Sequence, residues 1–127
     1  MADVKENTRP LSPHISIYRP QLTSVTSILT RITGIALVVT AILIVWWLLA
    51  AATDAVYFDF VDGLMTSFIG DVVMTLSLWG VWYHYLAGMR HLIFDAGRGL
   101  DIETAEKLGW TVVIGSVILT VLTIVVI

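Results

Sequence analysis

Three stretches without a charged side chain dominate this sequence: residues 32–53, 72–89 and 108–127, of 22, 18 and 20 residues. As an α-helix, each is long enough to cross about 30 Å of hydrocarbon. Lipid offers no water to exposed backbone groups, so a spanning segment has to be helical or part of a closed barrel. The alternation with period two that a barrel needs is absent. The sequence therefore predicts an all-α membrane protein with three transmembrane helices, up-down-up, over about residues 24–53, 63–95 and 104–127 of a single membrane domain, 23–127. In this reading residues 24–31 form the interfacial turns of the first helix, and 63–71 form the start of the second. Residues 1–22 are polar and carry Pro10, Pro13 and Pro20, which leaves no room for a long helix. They read as a cytoplasmic segment lying along the membrane, either touching a partner or forming an irregular tail that leaves His14 exposed.

Charge placement predicts the orientation. All seven basic residues (Lys5, Arg9, Arg19, Arg31, Arg90, Arg98, Lys107) lie in the N-terminal segment, at the entrance of the first helix or in the second connection. The first connection holds Asp54, Asp59 and Asp62 and no Lys or Arg. The positive-inside rule then places the N-terminus in the cytoplasm and the C-terminus on the periplasmic side. Trp46 and Trp47 at one end and Trp110 at the other suit the interfacial aromatic belts. Asp71 reads as a carboxylate in the first turn of a helix, favoured by the helix dipole. Asp3 and Glu6 come early, and no apolar run follows for some thirty residues, unlike a secretory signal; the same segment is neither Arg-rich nor free of acids, unlike a mitochondrial transit peptide. The chain thus reads as mature from its first residue, which favours a bacterial cytoplasmic membrane. No cysteine is present, so disulfides, iron–sulfur ligation and thiol catalysis by this chain are excluded.

Within residues 72–89 the only side chain that titrates near neutral pH is His84. A lone imidazole at that depth needs a partner. His84 and His91 fall two turns apart on one helical face, roughly 10 Å along the axis. Gly88, one turn beyond His84, removes a side chain where a flat ligand could lie against the helix. This pattern points to an imidazole metal ligand, with haem iron the centre that suits it. The same residues also suit a histidine bonded to a neighbouring helix and a glycine that permits close packing. Spacing leaves both readings open. Nearer the N-terminus, Ser27 and Arg31 form an i, i+4 pair at the entrance of the first helix. Arg31 reads either as a snorkelling anchor or, with Ser27, as a hydroxyl and a guanidinium aimed at a polar headgroup such as a quinone carbonyl. Arg90, His91 and Asp95 sit at the cytoplasmic mouth. They are candidates for haem propionate or subunit contacts, and Arg90 with Asp95 equally for an ordinary interfacial charge cluster.

Taken together, His84, Gly88, Arg90, His91 and Asp95, in the pattern His-x-x-x-Gly-x-Arg-His-x-x-x-Asp, resemble the second signature of the cytochrome b556 anchor family of succinate dehydrogenase. Ser27-Ile28-Leu29-Thr30-Arg31-Ile32-Thr33-Gly34 resembles the first signature, and residues 9–18 resemble the family's leader. The resemblance spans about residues 9–110. It implies half of a heterodimeric, haem-binding helix bundle that shares haem b with a second small membrane subunit, with His84 as one axial ligand. It implies a ubiquinone site lined by Ser27 and Arg31, and a haem environment made by His84, Arg31, Arg90 and His91. It also implies docking to an iron–sulfur subunit and to a flavoprotein subunit that oxidises succinate, this chain being a non-catalytic anchor.

Geometry agrees on the second ligand: two axial nitrogens stand about 4 Å apart across the iron, each bond being roughly 2 Å. His91 shares a helix face with His84 and His14 lies outside the membrane, so the opposite histidine of a bis-histidine haem would come from another chain. One departure is Thr30, where many relatives carry a histidine, so a propionate contact from that position is not expected. The alternatives are the anchor of a fumarate reductase, with electron flow reversed, or of another quinone-linked complex, and a small non-redox membrane assembly protein.

Overall fold

A computed structural model describes His14 and residues 16–127 as four helices: α1 (Leu22–Thr53), α2 (Ala55–Met65), α3 (Phe68–Asp95) and α4 (Ile102–Val126). The leader resemblance at 9–18 falls largely outside the described residues. Helix α1 starts directly after Pro20 and Gln21, where an upstream helix cannot continue. It runs unbroken to the extended residue Asp54.

One expectation fails. Residues 63–95 do not form a single helix, and most of the first connection is itself helical. Residues 55–65 make the separate helix α2, and the chain bends by 71° at Thr66 and Ser67 before α3 begins. The cause is local. The Ser67 hydroxyl accepts from the Gly70 N–H at 3.1 Å, capping a new helix rather than continuing the old one. At Gly70 the chain passes so close to Met65 that a Cβ would collide with its carbonyl oxygen. Asp71 lies in the first turn of α3, as expected.

Helices α1 and α4 are each long and apolar enough to cross a membrane. Helix α3 qualifies only together with α2, because Trp79, Trp82, Tyr83, His84 and Tyr85 replace aliphatic residues in its middle. By length and composition the described residues hold two spans, or three if the bent pair counts as one.

Helix α3 lies between α1 and α4 and runs antiparallel to both. Against α1, Thr40 meets Ser77 and Thr26 meets Arg90. Against α4, Trp79 meets Ser116 and Arg90 meets Ala105. The apolar core is thin: Tyr83, Ala87 and Val112, with Leu29, Trp79, Leu86 and Val113 packed around them. Polar contacts supply much of the specificity. Buried Thr26, Thr33 and Thr40 recur every seven residues on the face of α1 turned to α3. Each hydroxyl bonds a carbonyl of its own helix, which removes the penalty of an unpaired group in lipid. Between helices, Thr40 and Ser77 hydroxyls lie 2.9 Å apart, and the Trp79 and Trp82 indoles donate to Ser116 and Thr123 at 3.1 and 3.0 Å. Such interhelical bonds contribute about 0.6 kcal/mol each on average.

The α3–α4 connection is built from caps. Helix α3 ends in a Schellman motif: Gly97, at φ +70°, bonds Phe94, and the Arg98 N–H reaches the Ile93 carbonyl at 3.1 Å. Asp101 then caps α4, accepting from the Thr104 N–H at 2.9 Å. The polar stretch 101–107 is therefore the first turns of α4 rather than a loop before it. The two ends of the bundle differ in charge as the sequence predicts. Arg31, Arg90, Arg98 and Lys107 gather where α1 begins and α3 ends, while Asp54, Asp59, Asp62 and Asp71 lie at the other end. There Trp46 donates to the Tyr57 hydroxyl at 2.7 Å and Trp47 to Asp62 at 3.1 Å, tying α2 to the end of α1. Trp47 also stacks on Phe58.

Candidate functional site

His84 is half-buried on the face of α3 that meets α1. Its Nδ1 lies 3.3 Å from the Thr33 hydroxyl, and its Nε2 has no hydrogen-bond partner among the described residues. One turn further along, Gly88 is exposed, and a Cβ there would meet nothing within 4 Å. The ring therefore rests against α1 at Thr33 and Gly34, and the helix face at Gly88, one turn away, is open. Toward the acidic end, the α1–α3 seam opens into an apolar groove of about 420 Å³, walled by Ala36, Leu37, Leu43, Leu76 and Gly80 among others. An imidazole with a free Nε2, a bare helix face beside it and apolar walls close by are what a haem requires. The residues fit the group.

The basic end holds a second, polar cavity of about 300 Å³, lined by Thr23, Ser27, Thr30, Ala87, Arg90, His91, Phe94, Leu100 and Ala105. Three hydroxyls, a guanidinium and an imidazole converge on it. Arg90 reaches across the bundle, donating to the Thr26 hydroxyl on α1 at 2.8 Å and to the Ala105 carbonyl on α4 at 3.5 Å. Its guanidinium lies over the Phe94 ring at 4.9 Å. The Arg90 Nε–H is buried without a partner among the described residues. A cation so placed is suited to an anionic or carbonyl ligand.

The predicted site residues divide between these two places. Ser27, Arg90 and His91 line the polar cavity, whereas Arg31 is exposed one turn along α1 and does not line it. Among the described residues the one ion pair is Lys107–Glu103 at 2.6 Å, and Arg90 and Asp95 share the basic end without pairing. His91 and His84 stay on one continuous helix, with only His91 at the polar cavity. His14 is exposed, its Nδ1 2.8 Å from the Ser16 hydroxyl. Thr30 donates to the Thr26 carbonyl at 2.8 Å and lines the polar cavity.

Sequence reasoning missed Thr26, Thr33, Gly34 and Tyr83. The Tyr83 hydroxyl donates to the Thr26 carbonyl at 2.9 Å, so Thr26 receives both Tyr83 and Arg90. The spacing of Thr26, Thr33 and Thr40 was the available signal, since a seven-residue step keeps side chains on one face.

The profile of a family described as succinate dehydrogenase/fumarate reductase transmembrane subunit matches residues 5–123. The chain belongs to that family. Among its relatives, the succinate dehydrogenase cytochrome b556 subunit of Paracoccus denitrificans is 52% identical over 126 residues, covering 99% of this chain and 97% of the relative. That of Rickettsia conorii is 41% identical, covering 91% and 90%. The succinate dehydrogenase cytochrome b560 subunit of Reclinomonas americana is 34% identical, covering 80% and 74%. Membership in a transmembrane-subunit family accords with the long apolar helices α1 and α4.

Proposed function

We propose that this chain is the membrane-anchoring cytochrome b subunit of a succinate:ubiquinone oxidoreductase. In this reading it spans a bacterial cytoplasmic membrane three times, with its N-terminus in the cytoplasm and its C-terminus in the periplasm. It shares haem b with a second small membrane subunit and holds an iron–sulfur and a flavoprotein subunit at the membrane surface. The observation that carries the reading is His84: Nδ1 is engaged by Thr33, Nε2 is free, and the space beside Gly88 is open. Among the described residues no second imidazole approaches His84, because His91 lies two turns along the same helix and His14 is exposed. A second ligand is therefore assigned to the partner subunit.

Haem b, when bound, supplies a one-electron redox centre. His84 would hold it through Nε2, and Arg90 and His91 would offer hydrogen-bond donors to its carboxylates. Ser27 and Arg31 would face ubiquinone. The Ser27 hydroxyl can donate to a quinone carbonyl, and the Arg31 guanidinium favours negative charge developing on that oxygen. The partly unsatisfied Arg90, beside Ser27 in the polar cavity, supports an anionic or carbonyl ligand at this end. The relatives quoted are named for succinate dehydrogenase, which favours succinate oxidation over the fumarate-reducing alternative.

The test is a reduced-minus-oxidised optical spectrum of the complex purified through this chain, wild type beside His84→Ala. The expected result is a b-type band lost or shifted in the variant. An identical band in both would overturn the ligand assignment, and no band in either would overturn the haem itself.

A further inference from the structure

Thr33 and Gly34 of α1 form a seat for the His84 ring. The Thr33 hydroxyl lies 2.8 Å from the Leu29 carbonyl, 3.1 Å from the Thr30 carbonyl and 3.3 Å from His84 Nδ1. A hydroxyl carries one proton and two lone pairs. With that proton held by the shorter contacts to its own helix, Thr33 is left to accept the Nδ1–H of His84. An imidazole protonated at Nδ1 keeps its lone pair on Nε2, the nitrogen without a partner. Gly34 completes the seat: a Cβ there would lie 3.1 Å from Cε1 of His84, so even alanine would make the ring shift by a few tenths of an ångström.

We infer that Thr33 and Gly34 are positioning residues for metal coordination by His84. The Thr33 hydroxyl selects the tautomer and strengthens Nε2 as a donor, and Gly34 sets how close the ring approaches α1. A metal-bound histidine almost always donates its other N–H to an acceptor, which orients the ring and raises its basicity. A more basic imidazole favours oxidised iron, so the Thr33 contact holds the midpoint potential down. This inference rests on the reading of His84 as a haem ligand.

The experiment compares the intact complex carrying Thr33→Val, Thr33→Ser, Gly34→Ala or His84→Ala with wild type, for haem content and by redox titration of the b-type band. Valine keeps the shape of threonine without the acceptor; serine keeps the acceptor without the methyl. The expected result is a midpoint moved to more positive potential, or haem lost, in Thr33→Val, with Thr33→Ser titrating as wild type and haem content lowered in Gly34→Ala. Two outcomes overturn the inference while sparing the ligand: Thr33→Val titrating as wild type with full haem, or Thr33→Ser failing as Thr33→Val does, which would mean that the methyl group matters. A His84→Ala complex with an unchanged band removes the ligand reading and this one with it.

Discussion

Arg90 shows how one side chain can serve both stability and a site. It donates to α1 and α4 from α3 and still leaves its Nε–H without a partner among the described residues, beside the polar cavity. Hydrogen bonds from a charged donor contribute about 1.5–3 kcal/mol where a neutral pair gives about half as much. Arg90→Gln should therefore lower the melting temperature of the solubilised complex clearly. Arg90→Lys should rescue little, because an ammonium cannot reproduce the planar fork that spans two helices. Tyr83→Phe offers the contrast. The Thr26 carbonyl it bonds also accepts from Thr30, so no acceptor is orphaned, and the expected loss is about 0.6 kcal/mol. Equal melting temperatures for Arg90→Gln and wild type would show that the interhelical contacts of Arg90 carry no stability.

At the scale of elements, two caps decide where helices start. The α2–α3 bend depends on Gly70, where any Cβ meets the Met65 carbonyl. Gly70→Ala should open the bend and release Trp47 from Asp62, read as a red shift in tryptophan emission, whereas Gly63→Ala, with nothing near its Cβ, should leave emission unchanged. At the other end of the molecule, hydrogen bonds from Thr104, side chain first and backbone second, hold the Asp101 carboxyl below the usual aspartate range, with a smaller aid from Lys107. A depressed folded-state pKa contributes stability that is present above the unfolded value and is lost as pH falls through the folded one. The first turn of α4 should therefore lose amide protection below about pH 4, while Asp101→Asn, which caps without titrating, should remove the pH dependence. Protection that falls identically in both proteins would exclude Asp101 as the acid-labile cap.

The whole molecule is a thin bundle whose aliphatic side chains mostly face outward, among them Ile35, Ile42, Val45, Leu76, Ile118 and Val121. Such a surface suits lipid and partner helices, not water. The charge asymmetry between its ends predicts the topology, and the absence of native cysteines makes the test direct. Single cysteines at Asp59 and Lys107 should react with a membrane-impermeant maleimide from opposite sides, Asp59→Cys in intact spheroplasts and Lys107→Cys only after lysis. Labelling of both from one side would overturn the three-span arrangement, and reversed labelling would overturn the orientation.

The all-helical class and the long apolar helices α1 and α4 were legible because a membrane imposes rules that are local in sequence. Hydrocarbon thickness sets the length of an apolar run, and the uneven placement of Lys and Arg marks one end of the bundle as basic. The spacing of His84, Gly88 and His91 along one helix is equally local, so their shared face could be read directly. The break at Thr66 and Ser67 could not, since it depends on a cap and on the approach of Gly70 to Met65, which a hydropathy pattern does not encode. Nor could the partners of Arg90 and His84. Helical spacing says that Thr26, Thr33 and Thr40 share a face, but only the packing of α1 on α3 decides that Thr26 meets Arg90 and Thr33 meets His84. Along a chain, periodicity specifies which residues lie together on an element; which two faces meet, and in what register, is settled by side chains far apart in sequence.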